Sequence, residues 1–155
     1  MATWQQFERE APELAAAVRA RVEAYKHHVL ATVRKDGSPR VSGTEVRRCG
    51  PDLTLGSMWQ AVKARDLQRD GRFALHTNPG DGSMAGGDAK LAGRAVEITD
   101  EGELAAYRVA VPPPPGPFHA FRLDLAEVVL TEVEGDELVI RSWRPGRPVN
   151  TARRH

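Results

Sequence analysis

A chain of 155 residues is long enough for one domain with a true core, burying roughly 70% of its unfolded surface. Its composition is that of a globular protein, 41% hydrophobic and 28% charged, and a net charge of +1 provides no general field for nucleic acid or an acidic membrane. The single cysteine, Cys49, excludes an intramolecular disulfide and a cysteine-rich zinc site, and suits a reducing cytoplasm.

Pro12 stands where a helix tolerates proline best. Leu14, Val18, Val22 and Tyr25 then recur at helical spacing, which predicts an amphipathic helix over about 12–25, packed on something larger. In HVLATVRKDGSPRVSGTEVRR two β-rich runs flank Lys35-Asp36-Gly37-Ser38, whose Asp-Gly pair marks a hairpin because glycine accepts positive φ. Cys49-Gly50-Pro51-Asp52 is another turn and leads into a third antiparallel strand at Leu53.

Residues 53–78, LTLGSMWQAVKARDLQRDGRFALHTN, organise the rest: a strand, a turn at Gly56 and Ser57, one helix, and a strand through Phe73 to His76. Ser57 stands three residues before Gln60, the spacing of a capping box, and so predicts a helix that starts at this turn. The backbone donors of a first helical turn, the positive end of the helix dipole and Lys63 together suit a phosphate or carboxylate. Lys63 could instead pair with Asp66 at i, i+3 on a solvated face.

NPGDGSMAGGD, with four glycines in eleven residues, predicts a polar loop after His76. LAGRAVEIT resumes as strand, Thr99-Asp100-Glu101 opens a short capped helix, and Pro112 to Pro115 form a stiff extended connector. FHAFRLDLAEVVLTEVEG and DELVIRSW alternate as a last hairpin that turns at Glu134-Gly135-Asp136, and residues 147–155 are expected to be a flexible arginine-rich tail. Six or seven strands against two or three helices favour an antiparallel barrel, mainly β with flanking helices, over a parallel Rossmann sheet. No apolar run approaches the ~20 residues of a membrane span and no leader opens the chain, so one cytoplasmic domain over residues 1–155 is expected.

Phosphate binding by a P-loop is excluded, because no G-x-x-x-x-G-K-[ST] occurs. No metal site is expected: His27 and His28 are adjacent and would point to opposite faces of a strand, and His76, His119 and His155 lack ligand spacing. No local grouping supports a nucleophilic triad, and aromatics at 6% do not suit a nucleic-acid-binding barrel.

In their order, LATVRKDGSPRVSGTEV, LGSMWQAVKARDLQRDGRFALHT, GRAVEI, FRLDLAEVV and SWRPG resemble the pyridoxamine 5′-phosphate oxidase-like, flavin-binding split-barrel family over residues 12–146. The resemblance implies a homodimeric split β-barrel holding FMN, or in actinobacterial relatives a deazaflavin coenzyme, at the dimer interface; haem is a less favoured ligand. It places Arg40, Val41 and Ser42 along the ring and ribityl chain, Gly56, Ser57 and Met58 at the ring edge and phosphate, Lys63 on the phosphate, and Trp143 near the ring. Arg65, two residues further around the helix, does not share the direction of Lys63. Val62 stands where the true oxidases carry a second basic residue, and their C-terminal substrate set is not intact, so vitamin B6 oxidation is not implied. The implied function is a flavin- or deazaflavin-dependent oxidoreductase that transfers hydride to or from a small molecule. The alternative is a flavin- or haem-binding storage or sensing protein of the same fold.

Overall fold

In the computed structural model, which describes residues Met1–His155, the chain opens on a short helix outside the sequence expectation, α1 (Trp4–Glu10). Thr3 caps it by accepting from the Gln6 amide at 3.1 Å, and Trp4 and Phe7, one turn apart, bury its apolar side. The expected second helix, α2 (Pro12–Ala24), begins on Pro12 and turns Leu14, Ala15 and Val18 inward. Phe7 and Val18 are fully buried, which stabilises each by about 1.5–3 kcal/mol relative to exposure.

Nine strands follow: β1 (His28–Val33), β2 (Pro39–Thr44), β3 (Val46–Cys49), β4 (Asp52–Met58), β5 (Arg72–His76), β6 (Asp88–Glu97), β7 (Phe118–Glu134), β8 (Glu137–Trp143) and β9 (Asn150–Arg154). Between them lie α3 (Val62–Arg69) and α4 (Glu101–Ala110). The sheet runs β2-β1-β5-β6-β7-β4-β3, and β8 and β9 continue from the later part of β7. β2 and β3 end opposite edges of this path, yet only Glu45 joins them, so the chain holds Thr44 and Val46 within about 7–8 Å. The sheet must therefore curl until its edges approach. No ladder closes it, and the result is the expected mainly β, antiparallel barrel, split along this seam.

Leu30, Leu55, Leu75, Leu91, Phe121 and Leu130 project from successive strands into one apolar core, which α1 and α2 cover across β4, β6 and β7. α3 lies across β1, β4 and β6. α4 seals a smaller cluster of Ile98, Tyr107 and Ala120 on the outer side of β4 and β7. No helix is long and apolar enough to cross a membrane.

Three expectations are corrected. The capping box does not form: β4 continues through Met58 because Ser57 pairs with His119 of β7, and the Ser57 hydroxyl donates to the Met58 carbonyl at 3.2 Å. Gln60 takes φ 65°, and α3 begins only at Val62 with Ala61 as an N-cap that has no side-chain bond. The run before Cys49 is two strands, since the chain leaves one sheet edge at Thr44 and joins the other at Val46, which makes four strands before α3. The tail is not loose: Asn150–Arg154 adds to the edge of β8, and Arg153 pairs with Glu134 at 3.1 Å. The Asp100 cap of α4 and the hairpin at Glu134–Asp136 form as expected.

Candidate functional site

The seam is the only long interruption in the ladders, and the register defines it. β2 pairs with β1 alone, and β3 accompanies β4 only as far as Val46 opposite Leu55. The β2 edge from Arg40 to Thr44 and the β4 edge from Gly56 to Met58 therefore face the seam without a strand partner, leaving backbone donors and acceptors available. The gap between these edges, called the slot below, lies beside the first turn of α3, from which Lys63 reaches Gly43 of β2.

At that turn the amides of Val62, Lys63 and Ala64 enter none of the chain's backbone hydrogen bonds, and no side chain caps them. Lys63, half-buried, donates from Nζ to the Gly43 carbonyl at 3.0 Å and so spans the slot from α3 to β2. Burial pushes its ammonium pKa below the usual lysine range, and nearby Glu45 partly opposes this. The Lys63–Asp66 pair is not made. Asp66, 2% exposed, instead turns under β1 and β2, where Oδ2 accepts from Arg40 Nε at 2.7 Å and from Thr32 Oγ1 at 2.8 Å. Its Oδ1 accepts from Arg69 at 3.0 Å. Burial acts to raise the Asp66 pKa, but the hydrogen bonds from Arg40, Thr32 and Arg69 outweigh it and hold the carboxyl below its ordinary value.

Arg40 is thus aimed by α3: its Nε is taken, while its terminal nitrogens have no hydrogen bond within the chain. Ser42 shares its side of β2, and Val41, 68% exposed, faces the other way. Ser57 is buried and Met58 is exposed at the slot edge. The structure brings Arg40, Val41, Ser42, Gly56, Ser57, Met58 and Lys63 around one seam. Trp143 is not among them: its ring is 1% exposed and packs on Phe7 at 4.7 Å, so it is a core plug.

Several residues here escape a reading of the sequence. The Gln60 amide donates to His119 Nε2 at 3.2 Å, while His119 Nδ1 lies 2.8 Å from Glu97 Oε2, an arrangement that calls for the Nδ1–H tautomer. Trp59 stacks on the imidazole at 4.5 Å and 11°. Arg65 donates to the Gln60 side chain, and Gln68 donates to Glu97. The network fixes the β4–α3 turn in its left-handed conformation. His119 and Glu97 lie 59 and 37 residues from Gln60, so only β6 and β7 pairing makes them neighbours. Tyr107 of α4 places its hydroxyl 2.9 Å from where a Cβ on Gly56 would lie.

The donor set fits a phosphorylated planar cofactor. One ammonium, one guanidinium with free terminal nitrogens and three uncapped amides suit a dianion, and the two free strand edges can border an extended ligand.

The family model described as pyridoxamine 5′-phosphate oxidase matches residues 14–132. Among solved structures, the chain is similar to a pyridoxamine 5′-phosphate oxidase-related, FMN binding protein from Nostoc punctiforme PCC 73102, with TM-score 0.66, 16% identity, and coverage of 94% of this chain and 96% of that one. PhzG from Burkholderia lata 383, in complex with tetrahydrophenazine-1-carboxylic acid, gives TM-score 0.60 at 18% identity over 93% and 89%. A heme binding protein from Mycobacterium smegmatis gives TM-score 0.62 at 24% identity over 84% of this chain and 58% of that one. At these identities the likenesses establish the fold alone. No curated protein matches. With the family pattern running from α2 into β7 and the seam at its centre, the chain belongs to the pyridoxamine 5′-phosphate oxidase-like family.

Proposed function

We propose that the chain binds FMN in the seam slot, phosphate toward α3 and ring along the free edges of β2 and β4, and works in the cytoplasm as an oxidoreductase of a small molecule. A deazaflavin coenzyme is the alternative cofactor. The observation that carries this reading is that Lys63 and Asp66 of α3 reach Gly43 and Arg40 of β2, which sets an ammonium, a guanidinium with free terminal nitrogens and the uncapped start of α3 along one seam. When bound, the ring supplies the hydride-transfer chemistry. Lys63 and Arg40 neutralise the phosphate, Asp66 keeps Arg40 aimed, and the His119–Gln60 bond holds the turn that delivers α3.

A homodimer is part of the proposal. On the outer face of the sheet Val41, Ala31, Ala74 and Ala92 form one row across β2, β1, β5 and β6, and Val29 and Val129 flank His76 and Lys90 in the next. Such an apolar, concave face suits a second copy. Sedimentation of the purified protein at micromolar concentration should give twice the 17.0 kDa chain mass.

A binding protein without turnover is the second reading, favoured by one observation: both nitrogens of His119 are committed, so the slot has no imidazole free to act as an acid or base. Titration with FMN, followed by flavin fluorescence, tests the site. Lys63→Ala should raise the Kd by about ten- to a hundredfold, the range for a charge-assisted hydrogen bond; unchanged affinity would remove the assignment. Reduction by a nicotinamide followed by mixing with candidate acceptors separates an oxidoreductase from a storage protein, which would show no turnover.

A further inference from the structure

We propose that His119 is an acid-sensitive latch on the start of α3: a proton taken up at its Nε2 expels the Gln60 amide, frees the β4–α3 turn and weakens a phosphorylated ligand held there. The inference rests on the flavin reading above and adds to it a control of that site by pH.

Ser57 and His119 are register partners, as are Leu55 and Phe121, the next pair on that face, so the imidazole points to the core side of the sheet and away from α4. There it is 6% exposed and holds the turn that delivers α3. Its Nδ1–H donates to Glu97 at 2.8 Å, and its Nε2 accepts from the Gln60 amide at 3.2 Å. Gln60 has φ 65°, a conformation that costs free energy in any residue with a side chain. The next amide, that of Ala61, donates to the Met58 carbonyl at 3.1 Å, and α3 begins one residue later. Histidine is the side chain that ordinarily changes charge between about pH 5 and 8. Once Nε2 carries a proton it is a donor facing the Gln60 donor, so the bond is lost and the strained turn has nothing to hold it. The imidazolium itself keeps its partners, Glu97 on β6 and the face of Trp59 at 4.5 Å and 11°, so the displacement falls on the turn and not on the ring. The charged groups around it are Glu97 and, through the Gln60 side chain, Arg65 of α3. Gln68 of α3 is neutral, Ser57 and Met58 of β4 add no charge, and Arg122 of β7 lies on the other face, paired with Glu103. Lys63 and Arg40 lose no charge as pH falls, so the cations of the seam cannot account for weaker binding of an anion in acid.

The Gln60 amide of the ligand-free protein is followed by NMR from about pH 8 to about pH 5.5, and FMN affinity is read by flavin fluorescence at both ends of that range in wild type, His119→Gln and Gln60→Gly. The Gln60 amide proton should move upfield on acidification, as its hydrogen bond is lost, in wild type and not in His119→Gln. FMN should lose about tenfold more affinity on acidification in wild type than in His119→Gln, which takes up no proton. The comparison removes the protonation of the phosphate itself near pH 6, which both proteins share. Gln60→Gly, whose glycine adopts φ 65° without help, should also lose less than wild type, and it supplies the comparison if His119→Gln does not fold. Equal losses in wild type and the variants, or a Gln60 amide that does not move, overturn the proposal and leave the flavin reading standing. If wild type at about pH 8 binds neither FMN, a deazaflavin nor haem, the flavin reading falls. The Gln60 amide then decides the latch alone: a shift absent from His119→Gln supports it, and no shift overturns it.

Discussion

Replacing Asp66 by asparagine tests whether α3 is tied to β2 by a buried charge. The carboxylate is 2% exposed and accepts from Thr32, Arg40 and Arg69. Asparagine keeps one oxygen and turns the other into a donor, so at least one hydrogen bond from a guanidinium is lost, a change worth about 1.5–3 kcal/mol. The lost charge attraction adds less than a fully buried pair would, because the side chains of Arg40 and Arg69 are 25% and 38% exposed and water screens them. The expected destabilisation is about 2–3 kcal/mol at neutral pH. Urea unfolding of the flavin-free protein, followed by circular dichroism, measures it as a shift of midpoint at constant slope, so that ligand linkage does not mask the effect. The pH dependence gives a second reading. The folded pKa of Asp66 lies below its unfolded value of 3.8, so its stabilisation is complete above that value and lost as pH falls through the folded pKa. The variant should lack this acid-side loss. A variant within about 0.5 kcal/mol of wild type, with the same acid-side slope, would refute the tie.

Trp143→Ala should cost about 3–5 kcal/mol in the same unfolding assay, as expected of a core aromatic packed on Phe7, and should not weaken FMN in the folded fraction beyond what lost stability explains. His28 is buried, with Nε2 2.9 Å from the Val22 carbonyl and Nδ1 accepting from the Asn78 amide at 3.0 Å, and burial holds its pKa below 6.5. The unfolded chain therefore binds the extra proton first; stability should fall as pH drops below about 6.5 toward the folded pKa, and His28→Gln should flatten that slope. Gly93 sits at the β6 bulge, where a Cβ would lie 1.8 Å from the Asp124 carbonyl oxygen, so Gly93→Ala must displace backbone and should lower the thermal midpoint by roughly 6 °C or more. An unchanged midpoint would show that the bulge yields freely.

Chemistry confined to neighbouring residues is legible in the sequence itself. Pro12 and the spacing of Leu14 and Val18 define α2, Asp36-Gly37 the first hairpin, Asp100 the α4 cap, and Gly135 the last turn, because each rests on sterics and hydrogen bonds within a few residues. Ser57 shows where that logic stops. Its spacing to Gln60 suits a helix cap, but pairing with His119 across β4 and β7 keeps it in a strand, and long-range ladder bonds prevail over a local cap. The tail departs from its expectation for the same reason, since the edge of β8, invisible in the composition of the tail, converts it into β9.

The sequence alone determined the class of fold and singled out the two cations, Arg40 and Lys63, whereas α1, the division of β2 from β3 and the strand β9 were not legible in it. Only tertiary structure decided that Asp66 serves Arg40 instead of Lys63, that Trp143 is core, and that Gln60, His119 and Glu97 share one network. The physical reason is sheet curvature. Joining β2 to β3 through Glu45 curls the strands until residues far apart in the chain face each other across a seam, and no local pattern records which of them will meet.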